Sequence, residues 1–354
     1  MGTLILGGPV TSAFTHFALY GLAGIVEDRF GPVVTLQWSE AQEPVCSVTV
    51  PGTSTEEMAR AVLEAATPEG ARNWSSIQLE YSSKAKASPF APRIKAIDTD
   101  RHREDWDRHQ NARHRAIDSL LEEGDFDELR FIGALGEASY WHVANNSRQP
   151  DRGASRWEMK TRNRGEEFIS QRYRPLCEEL STWTVPQILD GLTGKAVRDP
   201  LGKNKQDSRS STGFTRPAPA DNAKAFCALR GISAFPVARL VTRINATPCA
   251  WPPTVLHPRS MILPVPTRAV TPARLRSVIV SEQLARLHEA LMARTEPSNS
   301  RVSKVGEDPL ETSAAKKWLA ARSMAAVVRF PVLRTGSSSA PERQVLDGEV
   351  ILNV

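Results

Sequence analysis

The stretch with the most chemical potential is "QPDRGASRWEMKTRNRGEEF", residues Gln149–Phe168. Pro150-Asp151 followed by Glu158-x-Lys160 has the acid, acid, lysine order of the metal-dependent PD-(D/E)xK nuclease motif, which needs Glu and Lys on one face beside the metal. An extended "SRWEMKTR" would put Arg156, Glu158 and Lys160 on one side and Trp157, Met159 and Thr161 on the other. Asp151 precedes Glu158 by only seven positions, leaving little room for a turn and a second strand. The same alternation suits a basic strand whose Trp157 and Met159 pack inward while Arg156 and Lys160 face a phosphate backbone. The sequence favours binding, with the metal-dependent nuclease as its alternative.

Other candidates for chemistry are weaker. His102, Asp105, His109 and His114 share one expected helix, yet no HExxH pattern occurs and a solvated, doubly charged helix accounts for them. His16 beside Tyr20 reads as a packed or partner-facing histidine. The glycine pairs match neither the Walker nor the dinucleotide fingerprint. Cys46, Cys177, Cys227 and Cys249 are far apart, with no CxxC pair, and read as buried or free thiols in a reducing cytoplasm. No catalytic residue, metal site or cofactor is assigned.

Charge is more informative. The 354 residues carry a net charge of only +5, so placement matters more than the total. No Asp or Glu lies between Asp221 and Glu282, whereas Lys224, Arg230, Arg239, Arg243, Arg259, Arg268, Arg274 and Arg276 all do. A second basic run holds Arg148, Arg152, Arg156, Lys160, Arg162, Arg164, Arg172 and Arg174, and a third holds Lys203, Lys205 and Arg209. With an acidic helical block elsewhere, these runs describe a polarised chain whose natural partner is a phosphate backbone. The excess of Arg over Lys favours bidentate phosphate contacts and base-edge reading.

The elements that must position these residues are mixed. Thr11 or Ser12 begins a helix to about Asp28, with Phe14, Phe17, Ala18, Gly21, Leu22 and Ile25 as its buried stripe and Gly21 and Gly24 available for close backbone contact. "VVTLQW" and "VCSVTV" form a hairpin. Thr53–Glu57 offers a capping box for a helix ending near Ala66. A charged helical block covers 100–128, and apolar stretches follow at Leu129–Leu135 and Tyr140–Val143. Gly191–Ala220, rich in Gly, Pro, Ser and Lys, reads as a long mobile loop. Asp221 caps a helix closed by Gly231. "PVARLVTRI" and "MILPVPTRAV" read as strands whose prolines place them at edges or ends. A helix spans roughly Pro272–Arg294, and the tail gives a closing strand, a loop and a last strand. No run is long and apolar enough for a membrane span. The expected fold class is α+β, mixed sheets with packed helices, as two domains or one elongated domain with a long basic loop. The segments are 1–147, an N-terminal α/β domain; 148–220, a basic strand and loop; and 221–354, a C-terminal α+β domain.

Three stretches, "TSAFTHFALYGLAGIVED", "SRWEMKTRNRGEEF" and "DNAKAFCALRGISAFPVAR", resemble the large-subunit-like proteins encoded with type I-G (formerly I-U) CRISPR effectors. The resemblance implies a non-catalytic, cytoplasmic subunit of a Cascade-like surveillance complex. Such a subunit binds the 5′ region of the crRNA and the target DNA, reads the short PAM, and works with backbone and guide-end subunits and a separate helicase-nuclease. No run of four C-terminal helices is evident, as a fused small subunit would need. Expected nucleic-acid contacts, from the charge runs, are Arg156, Lys160, Arg162, Arg164, Arg172, Lys203, Lys205, Arg209, Arg239, Arg243 and Arg259. A basic DNA-binding protein outside CRISPR would show the same charge pattern.

Overall fold

The computed structural model describes residues 2–158, 168–209, 212–295, 309–337 and 340–352. The architecture is α+β, with helices packed among small antiparallel sheets, as expected. The chain opens with β1 (Gly2–Leu6), α1 (Ala13–Phe30), β2 (Thr35–Trp38), β3 (Cys46–Val50) and α2 (Thr55–Ala66). Two-residue strands β4 (Leu79–Glu80) and β5 (Lys86–Ala87) precede α3 (Arg103–Glu122) and α4 (Phe126–Leu135). A second minimal hairpin, β6 (Val143–Ala144) and β7 (Ser147–Arg148), leads to α5 (Arg174–Leu180), α6 (Val185–Thr193) and α7 (Asn222–Arg230). The last part contains β8 (Ala250–Trp251), β9 (Ser260–Pro266), α8 (Pro272–Ile279), α9 (Glu282–Thr295), α10 (Pro309–Ala320), β10 (Met324–Ser337), β11 (Ala340–Val345) and β12 (Glu349–Leu352).

α1 is the centre of the molecule. Every residue from Ala13 to Val26 is buried, so the expected stripe is in fact a whole circumference. Its non-stripe positions add Leu19, Ala23 and Val26 to the internally bonded His16 and Tyr20, and a helix apolar all round belongs inside a core. His16 is a packed histidine: Nε2 donates to the Val10 carbonyl at 2.8 Å, and burial pushes its pKa down to about 4. Tyr20 donates to the Pro264 carbonyl at 3.3 Å and so ties α1 to β9. α1 crosses α7 at backbone distance. A Cβ on Gly21 would lie 1.8 Å from the Cys227 carbonyl oxygen, and one on Gly231 2.0 Å from that of Phe17. Gly231 has φ −60°, so its task is this approach and not the left-handed helix closure expected from sequence. Around Gly24, by contrast, the nearest atoms are 4.0 Å away.

The β2–β3 hairpin and the α2 capping box between Ser54 and Glu57 form as the sequence indicates. β1 joins the same sheet in the order β1-β3-β2, and Leu36 of β2 exchanges backbone hydrogen bonds with Val270 at 2.9 and 3.1 Å. The larger sheet runs β11-β10-β9-β8, with β12 also on β10. β9 is therefore an interior strand despite its prolines. β8 reaches only Ser260 and Met261, however, so Pro264 needs no second ladder partner. "PVARLVTRI" is not a strand: it is a loop closed by an Ala238–Ala246 bridge, with Leu240 N donating to the Asn245 side chain at 2.9 Å. The helix expected from Pro272 to Arg294 breaks into α8 and α9, and the tail contains three strands rather than two.

The loop after α6 is built, not structureless. Buried Asp199 accepts from Gly202 N at 3.0 Å, Asn222 Nδ2 at 3.0 Å and Ser208 Oγ at 2.5 Å. Phe214 stacks on Phe17 with ring centres 3.9 Å apart, and its carbonyl accepts from Phe14 N at 3.2 Å. One buried carboxylate and one aromatic anchor thus replace the apolar surface the segment lacks. All four cysteines are free and buried, and burial pushes the Cys46 and Cys177 thiols up to about 12, far from thiolate chemistry at neutral pH.

Two outcomes follow from this packing. Gly21→Ala destabilises by at least about 2 kcal/mol because backbone must move, whereas Gly24→Ala is neutral or stabilising by up to about 1 kcal/mol through helix propensity; urea unfolding of both variants checks the contrast. Burial also holds His109 and His288 down at about 3, as it holds His16 at about 4. These three pKa values are depressed on folding, so their contribution is complete above pH 6.5 and is lost as pH falls from 6.5 towards 4. From these three alone, unfolding at pH 5 takes up about three more protons than at pH 8, a slope near 4 kcal/mol per pH unit; His257, also held down at about 4, adds about one proton more, and unfolding free energies across that window measure the sum.

Candidate nucleic-acid interface

As far as Glu158, the segment that opened the sequence question is clamped by neighbouring loops. Pro150 starts a short 3-10 turn, and the chain is then stitched to the end of α4 by Ser139 N to Pro150 O at 2.9 Å and Ser155 N to Leu135 O at 2.9 Å. From the other side, Asn245 donates to the Arg152 and Gly153 carbonyls at 2.9 and 3.1 Å, Thr247 Oγ1 accepts from Arg156 N at 3.0 Å, and the Pro248 carbonyl accepts from Trp157 Nε1 at 2.8 Å. Ser155, Arg156, Trp157 and Glu158 are consequently all buried. Trp157 packs inward as expected, but Arg156 does not present an outer face. A strand with two distinct faces requires free space on one of them, and here neither is free.

Arg156 donates through Nη2 to the Asp151 carbonyl at 3.0 Å and to that of Ala154. Its Nε and Nη1 are buried without a hydrogen-bond partner. Burial first, then Arg93 and Arg343, lower its pKa well below the usual guanidinium range, and Asp151 and Glu158 only partly offset this. Glu158 is ion-paired with Arg93, whose Nη2 also donates to the Ser155 carbonyl at 3.1 Å. Arg172, in a π-helical turn at Ile169–Tyr173, also feels the Glu158 charge. Arg343 donates to the backbone carbonyls of Arg156 at 3.1 Å, Glu158 at 3.0 Å and Leu256 at 3.5 Å. Next to Leu256 stands half-buried His257, pushed down to about 4 by burial and then by Arg343, Arg334, Arg93 and Arg156. Glu158 is thus held by an arginine, and among the described residues no group of three His, Cys, Asp or Glu side chains could hold a metal. Lys160, Arg162 and Arg164 lie outside the described residues.

The remaining expected contacts disperse. Lys203 and Lys205 are exposed in the loop after α6, and Arg209 pairs with Glu342 at 3.3 Å. Arg239 reaches Glu137 at 3.4 Å, and Arg243 is exposed on the same 238–246 loop. Arg259 lies 4.6 Å over the Trp251 ring. The acid-free span is therefore not a uniformly basic surface. Arg230 is buried against Asp127 and Glu128, Arg276 meets Glu27 at 2.8 Å, and Lys224 is half-buried with its ammonium on the Gly7 carbonyl. Acids distant in sequence thus neutralise Arg230, Arg239 and Arg276, and the Lys224 ammonium is turned onto a backbone carbonyl. Sequence reasoning missed Arg93, His257, Arg334 and Arg343. One signal was available for two of them: a hairpin closing between Ser337 and Ala340 pairs Arg334 directly with Arg343.

No family model, curated protein or solved structure matches the chain.

The two buried arginines differ in a measurable way. Arg230→Met strands two buried carboxylates and costs about 3–5 kcal/mol. Arg156→Met removes two unsatisfied buried donors and costs under about 1 kcal/mol or stabilises. Denaturant unfolding of the two variants in parallel tests the difference.

Proposed function

We propose that the chain is a non-catalytic nucleic-acid-binding subunit of a crRNA-guided surveillance complex, contacting the 5′ region of the guide and the target DNA near its PAM beside backbone and guide-end subunits, with cleavage left to a separate helicase-nuclease. The observations that carry the nucleic-acid part are the four arginines that act on His257 (Arg343, Arg334, Arg93 and Arg156) and, separately, the exposure of Arg243, Arg259, Lys203 and Lys205. Like charges gathered at this density are stabilised by a polyanion, and guanidiniums suit phosphate oxygens. The assignment to a guide complex rests on the sequence resemblance, and pairing with a guide would supply sequence reading that these residues need not provide.

The test is binding of single-stranded RNA and of duplex DNA across a salt series, together with a cleavage assay in Mg²⁺ and Mn²⁺. Affinity falls steeply and log-linearly with salt, and Lys203→Gln with Lys205→Gln lowers the slope by roughly one to two units, about 0.7–0.9 for each phosphate no longer neutralised. Glu158→Ala, which releases Arg93, leaves neither strand cleaved. Salt-independent affinity, or none at low salt, removes the proposal. Metal-dependent cutting that disappears in Glu158→Ala installs the nuclease in its place.

A further inference from the structure

We propose that the cleft between α8 and the end of α10 is a site for one phosphate group, gripped from its two walls by Arg274 and Arg322. The site stands on the cleft alone; that the phosphate belongs to a nucleic-acid strand rests on the function proposed above.

Here the charge of the chain and its folding agree. α8 lies inside the acid-free span 222–281, and the second half of α10 belongs to another, 312–341. The two spans meet in a cleft of about 370 Å³ lined by Arg274, Ser277, Ala321 and Arg322, with no carboxylate among its described walls. On the same helix Arg276 is neutralised by Glu27, but among the described residues no acid pairs with Arg274 or Arg322. The acids of α9 are engaged elsewhere: Glu282 pairs with Arg286, and Glu282 and Glu289 line a different cleft with Thr312, in the first turn of α10. A third cation is close along the backbone. Thr267 N donates to the Ser323 carbonyl at 3.2 Å, which holds the loop carrying exposed Arg268 against the residue after Arg322.

The two guanidiniums are held differently. Arg322 lies 3.5 Å over the Trp318 ring and donates through Nη1 to the Trp318 carbonyl at 3.1 Å, leaving Nε and Nη2 without a partner among the described residues. The ring fixes the plane of the guanidinium, so less freedom is lost when a ligand binds. The helix end does not oppose an anion, because its remaining carbonyls are taken: that of Lys317 by Ala321 N at 3.0 Å, that of Leu319 by Arg322 N at 2.9 Å and that of Ala320 by Ser323 N at 3.0 Å. Arg274 comes from the first turn of α8, where Thr271 caps its N–H at 3.2 Å, and its exposed side chain can swing onto a ligand. Ser277 uses its hydroxyl hydrogen on the Arg274 carbonyl at 2.7 Å, so the guanidiniums are the donors. Donors on two walls suit a group with acceptor oxygens on several sides, which a tetrahedral phosphate has and a planar carboxylate lacks. The volume falls within the roughly 300–1,000 Å³ of small-ligand sites. The phosphate can come from a strand backbone or from a small phosphorylated compound.

The experiment uses the full-length protein in a buffer free of phosphate and sulfate, with the Trp318 indole N–H followed by NMR and assigned through Trp318→Phe. Inorganic phosphate, added at constant ionic strength, shifts this resonance saturably because it engages the guanidinium stacked on the ring, and acetate does not. Arg274→Gln, an exposed position whose loss leaves the fold intact, weakens phosphate at least about tenfold, the loss expected for one charge-assisted contact. Arg322→Lys keeps the charge but loses the planar fork, and weakens phosphate at least roughly threefold. Arg103→Gln, an exposed arginine on α3 that lines none of this cleft, leaves binding unchanged. An unshifted Trp318 in phosphate, an equal shift in acetate, or equal phosphate affinity in wild type and Arg274→Gln overturns the site and leaves the proposed function to its own salt series. Single-stranded RNA then identifies the source. A salt slope lower by about 0.7 in Arg274→Gln, the change for one phosphate, assigns the site to a strand. An unchanged slope beside intact phosphate binding assigns it to a small phosphorylated compound. Phosphate bound with no RNA retained keeps the site and removes the nucleic-acid function.

Discussion

The fold is organised around one buried cation. Arg230, at the end of α7, is enclosed and donates to Glu128 at 2.9 Å and to Asp127, while Trp74 Nε1 bonds the same Glu128 at 2.7 Å and Phe131 stacks 4.6 Å beneath the guanidinium. Burial lowers its pKa, but Glu128, Tyr173 and Asp127 outweigh that and hold it above the ordinary value. Two acids and a cation out of water are tolerable only in one geometry. That geometry sets α7 against α4, and with α7 fixed, the Gly21–Cys227 and Phe17–Gly231 approaches fix α1. α1 in turn carries the sheet through Tyr20 and the following loop through Phe17.

A second buried arginine shows the opposite condition. Arg156 is as enclosed as Arg230, but it receives carbonyls on one nitrogen only and faces other arginines. Where Arg230 completes a network, Arg156 leaves one open.

The distribution of charge was legible along the chain but not its consequence. A span of sixty residues without an acid suggested a basic face, yet Asp127, Glu128, Glu137 and Glu27 arrive from elsewhere and neutralise Arg230, Arg239 and Arg276. Linear charge asymmetry becomes surface asymmetry only where folding brings no counter-charge. The arginines that act on His257 come from four separate segments.

Local features were readable because local physics decides them. The Ser54–Glu57 capping box, the β2–β3 hairpin, the Asp221 cap and the need for glycine at position 21 each depend on a few neighbouring residues or on one steric demand. The α+β class follows from those elements. Tertiary structure decided the rest. "SRWEMKTR" alternates like a strand, but as far as Glu158 the chain is bonded to Thr247 and Pro248, and Arg156 is buried. The polar loop after α6 acquired structure from Asp199 and Phe214, whose partners lie in α7 and α1. Of Arg93, His257, Arg334 and Arg343, only the last two had a signature in one segment, the hairpin that sets them opposite each other; Arg93 and His257 come near them only once the chain has closed.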